Sequence, residues 1–485
     1  MSTIVKRKLD RLREGGQPRV LDLFAGCGGI AVGFQRAGCI SLGGVELDEL
    51  ASRSYATNFH GNLPPKLFDV HAAPKDIAAL DPEELVARFG HSAEEVDLIV
   101  GGPPCPTFTR VGRAKLREVQ KHPEAFLHDP RAELYLHYLE FVEALSPVAL
   151  LMENVPDLLN FGGRNVAEDV CDALERMGYV CAYTLLNAAN YGVPQMRERF
   201  FLVAMREEVG RSVKFPIPLC LVHFPPGYEG SRDVALRGIR DSQNSLFATP
   251  PRYVPPPVPR EDAARPVTVR QAIADLPPIT SHLNGGMPRG ARRFDRPVPY
   301  RNVRPSWYAQ EMREWPGFAA NGLLYDHVTR SLTDRDFRLF RDMRHGDDYP
   351  KAHALAVRLF EATVAARRAS GVFLADGSPE YERLRSSYVP PYDAGKFPNK
   401  WRKMDPDEPA RTLMAHLGKD AYSHIHYDST QARVISVREA ARLQSFPDGF
   451  KFCGTMNPAF RQIGNAVPPL MAYALAWDIL SQIKE

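Results

Sequence analysis

The sequence lacks any run of apolar residues that approaches the roughly 20 needed to span a bilayer. Its first residues, MSTIVKRKLDRLREGG, are charged and contain no apolar core, so they do not resemble a secretory signal. The seven cysteines include no C-x-x-C pair and no metal-ligand spacing, and the two histidines of SHIHYD (423–428) have no third ligand beside them. We therefore expect a cytoplasmic chain with free thiols, no membrane contact and no bound metal.

Lysine is absent from one long stretch that is otherwise basic. Residues 281–345 contain 12 Arg and no Lys against seven Asp and Glu, an excess of five positive charges. The planar guanidinium group binds phosphates and guanine edges through a fixed fork of donors, whereas the lysine ammonium acts mainly as a point charge. The stretch is a candidate nucleic-acid surface, with a solvated, salt-bridged face as the alternative.

Apolar strands alternate with helical segments through the first two fifths of the chain. The strands are RVLDLF, SLGGVEL, EEVDLIVGG, VALLMENV and RFFLVAM. This alternation predicts an α/β domain with a parallel sheet covered by helices on both faces.

Composition divides the chain into five parts. Residues 1–18 are a basic tail, 19–212 the α/β domain, and 213–262 a linker that contains ten prolines. Proline excludes both a central strand and a long helix from the linker. Residues 263–455 are irregular and predict a second, smaller domain. The apolar end, 456–485, is too short for a core of its own, so we expect it to pack back on the first domain.

A glycine-rich turn follows the first strand in VLDLFAGCGG (20–29). Gly26, Gly28 and Gly29 let the backbone turn sharply and approach a ligand, and Glu46 ends the next strand, where an acid can bind ribose hydroxyls. The spacing also fits an NAD enzyme, but the full G-x-G-x-x-G is absent because position 31 is Ala. A ligand without a pyrophosphate, such as S-adenosylmethionine, fits the turn better. A purely structural strand–turn–helix is the alternative.

One cysteine sits inside a proline cluster in GGPPCPTFTRVG (101–112). Cys105 follows the strand VDLIVGG, and the carboxyl ends of strands are where open α/β sheets bind ligands. The prolines restrict the backbone, so the thiol is held in place without an ordering cost. This pattern favours a reactive thiolate over a buried structural cysteine.

Two further strand ends carry charge. Glu153, in MENVP (152–156), is costly there unless it faces a cleft or a partner, and in a cleft it can act as a general acid. Arg197 and Arg199, in QMRERFF (195–201), alternate on a strand and so share one face, where they can hold an anionic group or lower the pKa of a thiol. Ordinary strand-end charges are the alternative.

Six blocks of the sequence together resemble the DNA cytosine-5 methyltransferase family. They occur in order as DLFAGCGG, GGPPCP, ENVP, QMRER, VREAARLQSFP and QIGNAVPP. The resemblance covers roughly residues 1–210 and 430–485. It implies a Rossmann-like, doubly wound, mostly parallel sheet of the class I S-adenosylmethionine methyltransferase type. It also implies a smaller, irregular target-recognition domain at 263–455, with double-stranded DNA in the cleft between the two.

The resemblance also implies residue roles. Cys105 adds to C6 of a cytosine flipped out of the duplex, and Glu153 assists by protonation or hydrogen bonding at N3. Arg199, with Arg197 as a second candidate, holds the base, and Asn154 orients the loop that carries the cysteine. The cofactor is S-adenosyl-L-methionine, and the residues matched to its site are Phe24, Ala25, Gly26, Gly28, Glu46, Asp69, Pro103 and Asn465. Of these, Asp69, which follows KLF, matches the family's strand-end acid that faces the adenine amino group.

The sequence departs from the family pattern at Pro106, where a glutamine is usual. The residue is not the nucleophile, so the departure bears on how the loop 107–121 closes on the base. Arg110, Arg113, Lys115 and Arg117 of that loop are predicted phosphate contacts.

The function predicted is therefore that of a monomeric DNA (cytosine-5-)-methyltransferase in restriction-modification or a related phage defence, with proteins of such a system as candidate partners. An RNA cytosine-5 methyltransferase of the same fold and a non-catalytic DNA-binding homologue are the alternatives.

Overall fold

The computed structural model describes most of the chain. The described residues are 3–104, 134–160, 165–225, 228, 232–237, 239, 252–286, 296–419 and 421–485. Cys105, Pro106 and the loop 107–121, with its four predicted phosphate contacts, lie outside them. Within the described residues, no helix combines the length and the apolar character needed to cross a membrane.

A six-stranded sheet organises the first domain. Its strands, with a short seventh beside them, are β1 (Arg19–Leu23), β2 (Ile40–Val45), β3 (Leu98–Gly101), β4 (Ala149–Asn154), β5 (Tyr179–Asn187), β6 (Gln195–Met196) and β7 (Glu198–Arg206). The order is β2-β1-β3-β4-β7-β5, and the pairs from β2 to β4 are parallel. The predicted, mostly parallel α/β sheet is confirmed.

One strand runs against the predicted direction. β7 pairs antiparallel with both β4 and β5. Its connection from β5, residues 188–197, holds only the two-residue β6 and a 3₁₀ turn, Ala188–Tyr191, which ends at Gly192 with φ +80°. A parallel crossover needs a dozen or more residues, so this short connection can only return the chain antiparallel.

Helices cover both faces of the sheet. They are α1 (Thr3–Arg13), α2 (Gly29–Arg36), α3 (Glu49–Phe59), α4 (Pro65–Ala72), α5 (Pro82–Arg88), α6 (Leu134–Leu145) and α7 (Val166–Arg176). Apolar residues of β1 alternate between the two faces: Leu21 and Leu23 pack with α5 to α7, whereas Val20 packs with α1 and α2. This alternation is the period of two that an extended strand imposes.

The predicted basic tail is a helix of the first domain, and this corrects the 1–18 assignment. In α1, Leu9 and Leu12 are buried, so its apolar stripe joins the core. Lys8 is also buried, and its ammonium donates to the carbonyls of Val96 and Leu145, at 2.7 and 2.8 Å. A buried ammonium is tolerated because such carbonyls replace its hydration.

The second domain contains mostly helices and short bridges. Its elements are α8 (Val269–Ile273), β8 (Val298–Pro299), α9 (Trp307–Glu314), β9 (Leu323–Leu324), α10 (Asp334–Asp342), α11 (Tyr349–Ala369), α12 (Pro379–Ser386), β10 (Ala410–Arg411), α13 (Val437–Leu443) and α14 (Met456–Asn465). One core cluster joins residues from Val267 to Ile463.

The return to the first domain begins later than predicted. α14 belongs to the core of the second domain, and only the last helix, α15 (Pro469–Lys484), packs along α2 and the sheet. The proline-rich 213–262 segment is not a free linker either. Its Val213 and Phe215 are buried in the first core, and Tyr253 forms a bridge to Tyr183 of β5.

A short polar segment joins the two domains at the sheet edge. β6 pairs with β10, and the Gln195 side chain accepts from Leu413 N at 2.8 Å. Arg197 is 1% exposed, and its guanidinium donates to the carbonyls of Leu413 and Gly464, both at 3.0 Å. We call residues 195–197 the junction. The junction holds together three segments that are far apart in sequence.

We expect Arg197→Met to destabilise the protein by about 3 kcal/mol, because two buried carbonyls lose charged donors. Arg211→Met is the control: its side chain is 44% exposed, and a surface ion pair contributes little. Urea unfolding followed by fluorescence measures both. Equal losses in the two variants would contradict the structural role given to Arg197.

Candidate functional site

The carboxyl ends of β3 and β4 form one wall of the site. These strands are parallel, with Gly101 opposite Met152, so Gly102 and Glu153 follow side by side. A Cβ atom on Gly102 would lie 2.9 Å from Glu153 Oε2, so a larger residue here would displace that carboxylate. The chain therefore passes directly by the Glu153 carboxylate on its way to Cys105.

Asn154 fastens the two strand ends together. Its Nδ2 donates to the carbonyl of Pro103 at 2.9 Å, and its Oδ1 accepts from Val155 N at 2.9 Å. The Pro103 side chain is buried, whereas Pro104 is exposed. The predicted contact of Asn154 with the cysteine-bearing segment is thus present at Pro103.

Glu153 and Arg199 form an ion pair. Arg199 Nε lies 3.0 Å from Glu153 Oε1, and the two side chains are 16% and 13% exposed. Antiparallel pairing of β7 with β4 brings them together, since Glu153 lies opposite Phe201. Burial raises the pKa of the Glu153 carboxyl, and the positive charge of Arg199 opposes that rise. A raised pKa favours the protonated carboxyl of Glu153, which can give a proton or donate a hydrogen bond.

Arg197 does not share this contact, which corrects the pairing predicted for the two arginines. Residue 197 lies between β6 and β7 rather than in a continuous strand, so strict alternation does not apply to it. Its guanidinium is held by Leu413 and Gly464, while that of Arg199 reaches Glu153 and the Glu198 carbonyl. Of the two, Arg199 lies at the strand-end site.

The glycine turn after β1 faces Glu46. Gly26 N donates to Glu46 Oε2 at 2.9 Å, and Asp48 N donates to Oε1 at 2.8 Å. Burial raises the pKa of the Glu46 carboxyl, and these backbone donors act against the rise. Gly28 has φ +102°, and a Cβ there would lie 2.4 Å from the Phe59 ring. Any side chain at residue 28 would disrupt the glycine turn.

Apolar groups lie beside the Glu46 carboxylate. Phe24 begins the turn with φ +56°, a conformation that few residues other than glycine adopt, and Ala25 N donates to the Val45 carbonyl at 2.9 Å. Leu47 directly follows Glu46 and is 67% exposed, which is unusual for a large apolar side chain. Leu47 was not among the predicted site residues, although the sequence shows an apolar residue directly after the strand-end acid.

The predicted cofactor acid Asp69 is not at a strand end. It lies in α4, exposed to solvent. The KLF residues before it are helical. Pro65, in the first turn of α4, is the signal in the sequence that a helix starts here, since proline favours that position. The strand-end assignment of Asp69 is therefore wrong.

Asp76 occupies the place expected of Asp69. Lys75 N donates to the Glu46 carbonyl at 2.7 Å, so the next residue lies beside the β2 end. Asp76 is exposed and caps a short 3₁₀ turn by accepting from Ala78 N at 3.2 Å, while Ile77 anchors the turn in the core. The sequence signal for this position is an acid, Asp76, followed directly by an apolar residue, Ile77, that is buried.

The C-terminal part of the chain closes the site. Asn465 ends α14 and is exposed, and the preceding Gly464 carbonyl is bound by Arg197. A Cβ atom on Gly29 would lie 2.3 Å from the Val467 carbonyl, so residues 464–467 pack against the start of α2. Asn465 therefore lies near the glycine turn, although more than 430 residues separate them in sequence.

Comparison with known proteins identifies the family. The model of the C-5 cytosine-specific DNA methylase family matches residues 18–235 and 360–481, more than half of the chain. M.OihORF3336P of Oceanobacillus iheyensis, named as a type II methyltransferase, is 38% identical over 469 residues, covering 95% of this chain and 94% of that protein. The type II methyltransferase M.AgeI of Thalassovita gelatinovora is 31% identical over 480 residues, covering 95% and 99%.

A solved structure supports the fold. A DNA modification methyltransferase encoded within an E. coli prophage superposes with a TM-score of 0.61 at 20% identity, covering 96% of this chain and 100% of that one. The chain therefore belongs to the C-5 cytosine-specific DNA methylase family and is a DNA (cytosine-5-)-methyltransferase.

Proposed function

We propose that the chain methylates C5 of a cytosine that is flipped out of a specific duplex DNA site, through a covalent bond between Cys105 and C6. The observation that carries the proposal is the paired strand end: Glu153 is held by Arg199, and Asn154 is bound to Pro103, two residues before Cys105. A cytosine that lies against Glu153 would then be next to the segment that leads to Cys105.

Each group has a separate step. The Cys105 thiolate forms a bond to C6 while Glu153 gives a proton or a hydrogen bond to N3, so that negative charge does not build up on the ring. C5 becomes nucleophilic and takes the methyl group. A base removes the C5 proton, the bond between sulfur and C6 breaks, and the N3 proton returns to Glu153. Arg199 orients Glu153 and neutralises its charge when it is ionised.

The residues around Glu46 fit S-adenosyl-L-methionine, which supplies an electrophilic methyl group when bound. The glycine turn leaves the backbone open at Gly26, where a Cβ atom would meet nothing within 4 Å, and Glu46 offers its carboxylate to the ribose. Phe24 and Leu47 provide apolar surface for adenine, and Asp76 provides an acceptor for its amino group. We assign Ala25, Pro103 and Asn465 to the walls of the same site.

The names of the relatives suggest the biological setting. Two of them are type II methyltransferases, so we propose that this chain acts in the cytoplasm as a monomer and modifies host DNA beside a restriction nuclease. Bisulfite sequencing of DNA from cells that express the chain gives the methylated site.

The Cys105 assignment predicts covalent trapping on duplex DNA that carries 5-fluorocytosine, because fluorine blocks the loss of the C5 substituent. Wild-type protein and Cys453→Ser should form a complex that survives denaturing electrophoresis, whereas Cys105→Ser should form none. Cys453 is the control because it is another free, partly exposed thiol.

A stable complex with Cys105→Ser, or none with the wild type, would exclude this thiol as the nucleophile. Transfer of labelled methyl groups into tRNA and not into duplex DNA would exclude the DNA substrate.

The corrected cofactor acid gives a matched pair of variants. Asp76→Asn should weaken S-adenosylhomocysteine binding about tenfold, because a charged acceptor is lost, while Asp69→Asn should change it by less than about twofold. Both carboxylates are exposed, so neither variant should alter stability. Isothermal titration calorimetry measures the affinities, and a larger effect from Asp69→Asn would reverse the assignment.

A further inference from the structure

A groove on the second domain lies between α10, α11 and Tyr388. Its volume is about 700 Å³, and Arg338 and Arg341 of α10 line one side of it, facing Arg367 of α11. All three arginines are exposed. We call this the arginine groove. α10 falls between residues 235 and 360, outside both segments that the family model matches, whereas Arg367 and Tyr388 fall inside the matched segment 360–481.

The groove carries an excess of positive charge. Its one acidic lining residue, Asp342, is paired with Arg341 at 3.1 Å. Within the described parts of the chain, Arg338 and Arg367 form no ion pair with any carboxylate. The Arg338 guanidinium instead lies over the Tyr388 ring, 5.3 Å from its centroid. An aromatic face holds a guanidinium in place without neutralising its charge.

Two other arginines of the basic 281–345 stretch bind acids of their own domain. Arg313 is bound to Asp275, and Arg335 to Asp336. Among the described residues, Arg338 and Arg367 have no such partner, although holding like charges at one groove is unfavourable without a ligand.

The geometry fits a sugar–phosphate backbone. Arg338 and Arg341 are three residues apart on α10, so they point to the same side of the helix about 5–6 Å apart at Cβ. Guanidinium groups bind phosphate oxygens through two donors each, and the Thr363 hydroxyl lines the same groove. A polyanion that passes along the groove meets a positive group on each side.

We propose that the arginine groove binds the phosphate backbone of the DNA substrate, at a place separate from the strand-end site that holds the target base. The proposal rests on the proposed function only in that the anionic ligand is the DNA that the chain methylates. Because the contacts are to phosphates, they add affinity for any sequence and do not select the site.

The test compares two triple variants that remove the same charge. R338Q/R341Q/R367Q alters the groove. R7Q/R270Q/R383Q removes three exposed arginines that are each paired with an acid elsewhere. Affinity for a duplex that carries the methylation site is measured by fluorescence anisotropy across a range of salt concentrations, and thermal melting checks that all the proteins are folded.

The groove triple should lower the slope of log affinity against log salt by about two to three, since each phosphate contact contributes about 0.9. Its affinity at low salt should fall by about tenfold or more. The control triple should keep the wild-type slope. The single variant R367E, which reverses one charge, should weaken binding in the same direction. A groove triple with the slope of the control would overturn the proposal.

Methyl transfer separates this proposal from the proposed function. At saturating duplex, the groove triple should keep the wild-type rate within about twofold, because the strand-end site is unaltered. If the wild type transfers no methyl group to DNA, the proposed function fails while the comparison of slopes still stands. If the wild type methylates DNA and the slopes are equal, only the groove assignment fails.

Discussion

The burial of Arg197 is the constraint on which the arrangement of the site depends. A guanidinium is costly to take out of water unless carbonyls or acids replace its hydration, and here those carbonyls come from Leu413 and Gly464. The segments that carry them cannot move apart without exposing an unpaired charge or leaving buried acceptors unpaired. Arg197 therefore joins the first domain to the second and to the segment before α15, together with Gln195 and the β6–β10 pair.

The location of the junction explains why this matters for function. Two residues beyond Arg197, Arg199 holds Glu153, and one residue beyond Gly464 is Asn465. The groups assigned to the base and those assigned to the cofactor are thus attached to opposite ends of the same hydrogen-bonded link. The two sets of groups can only move together, because the same link holds both. The distance between the reacting groups is therefore maintained.

Buried ion pairs give the second domain the rigidity that its few regular elements cannot supply. Arg433 binds Glu439, Arg438 binds Asp326, and Arg442 binds Asp448, and all of these side chains are almost completely buried. Arg442 also reaches Asp275 near α8, far away in sequence. Such pairs are stable only when every donor has a partner, and that requirement selects one packing of an irregular chain.

The sequence predicted the parts of the site that depend on local signals and missed those that depend on distant partners. Strand periodicity predicted the positions of Glu46 and Glu153 at strand ends, and the glycine turn was recognisable in the sequence. The antiparallel direction of β7 followed from a short connection, and the partners of Arg197 lie more than 200 residues away. Asp69 failed for a local reason: the match to the family pattern ignored Pro65, which marks the start of a helix.

The acids near the cofactor turn show how burial and function are connected. Asp22 of β1 is 1% exposed, and neither of its carboxyl oxygens has a hydrogen-bond partner among the described residues. Burial raises its pKa well above the usual value, and the Glu46 charge acts in the same direction. A neutral Asp22 removes the repulsion that a second carboxylate would exert on Glu46. The backbone donors of Gly26 and Asp48 then orient Glu46. The glycine turn therefore positions the Glu46 carboxylate, and the two features act together in the proposed cofactor site.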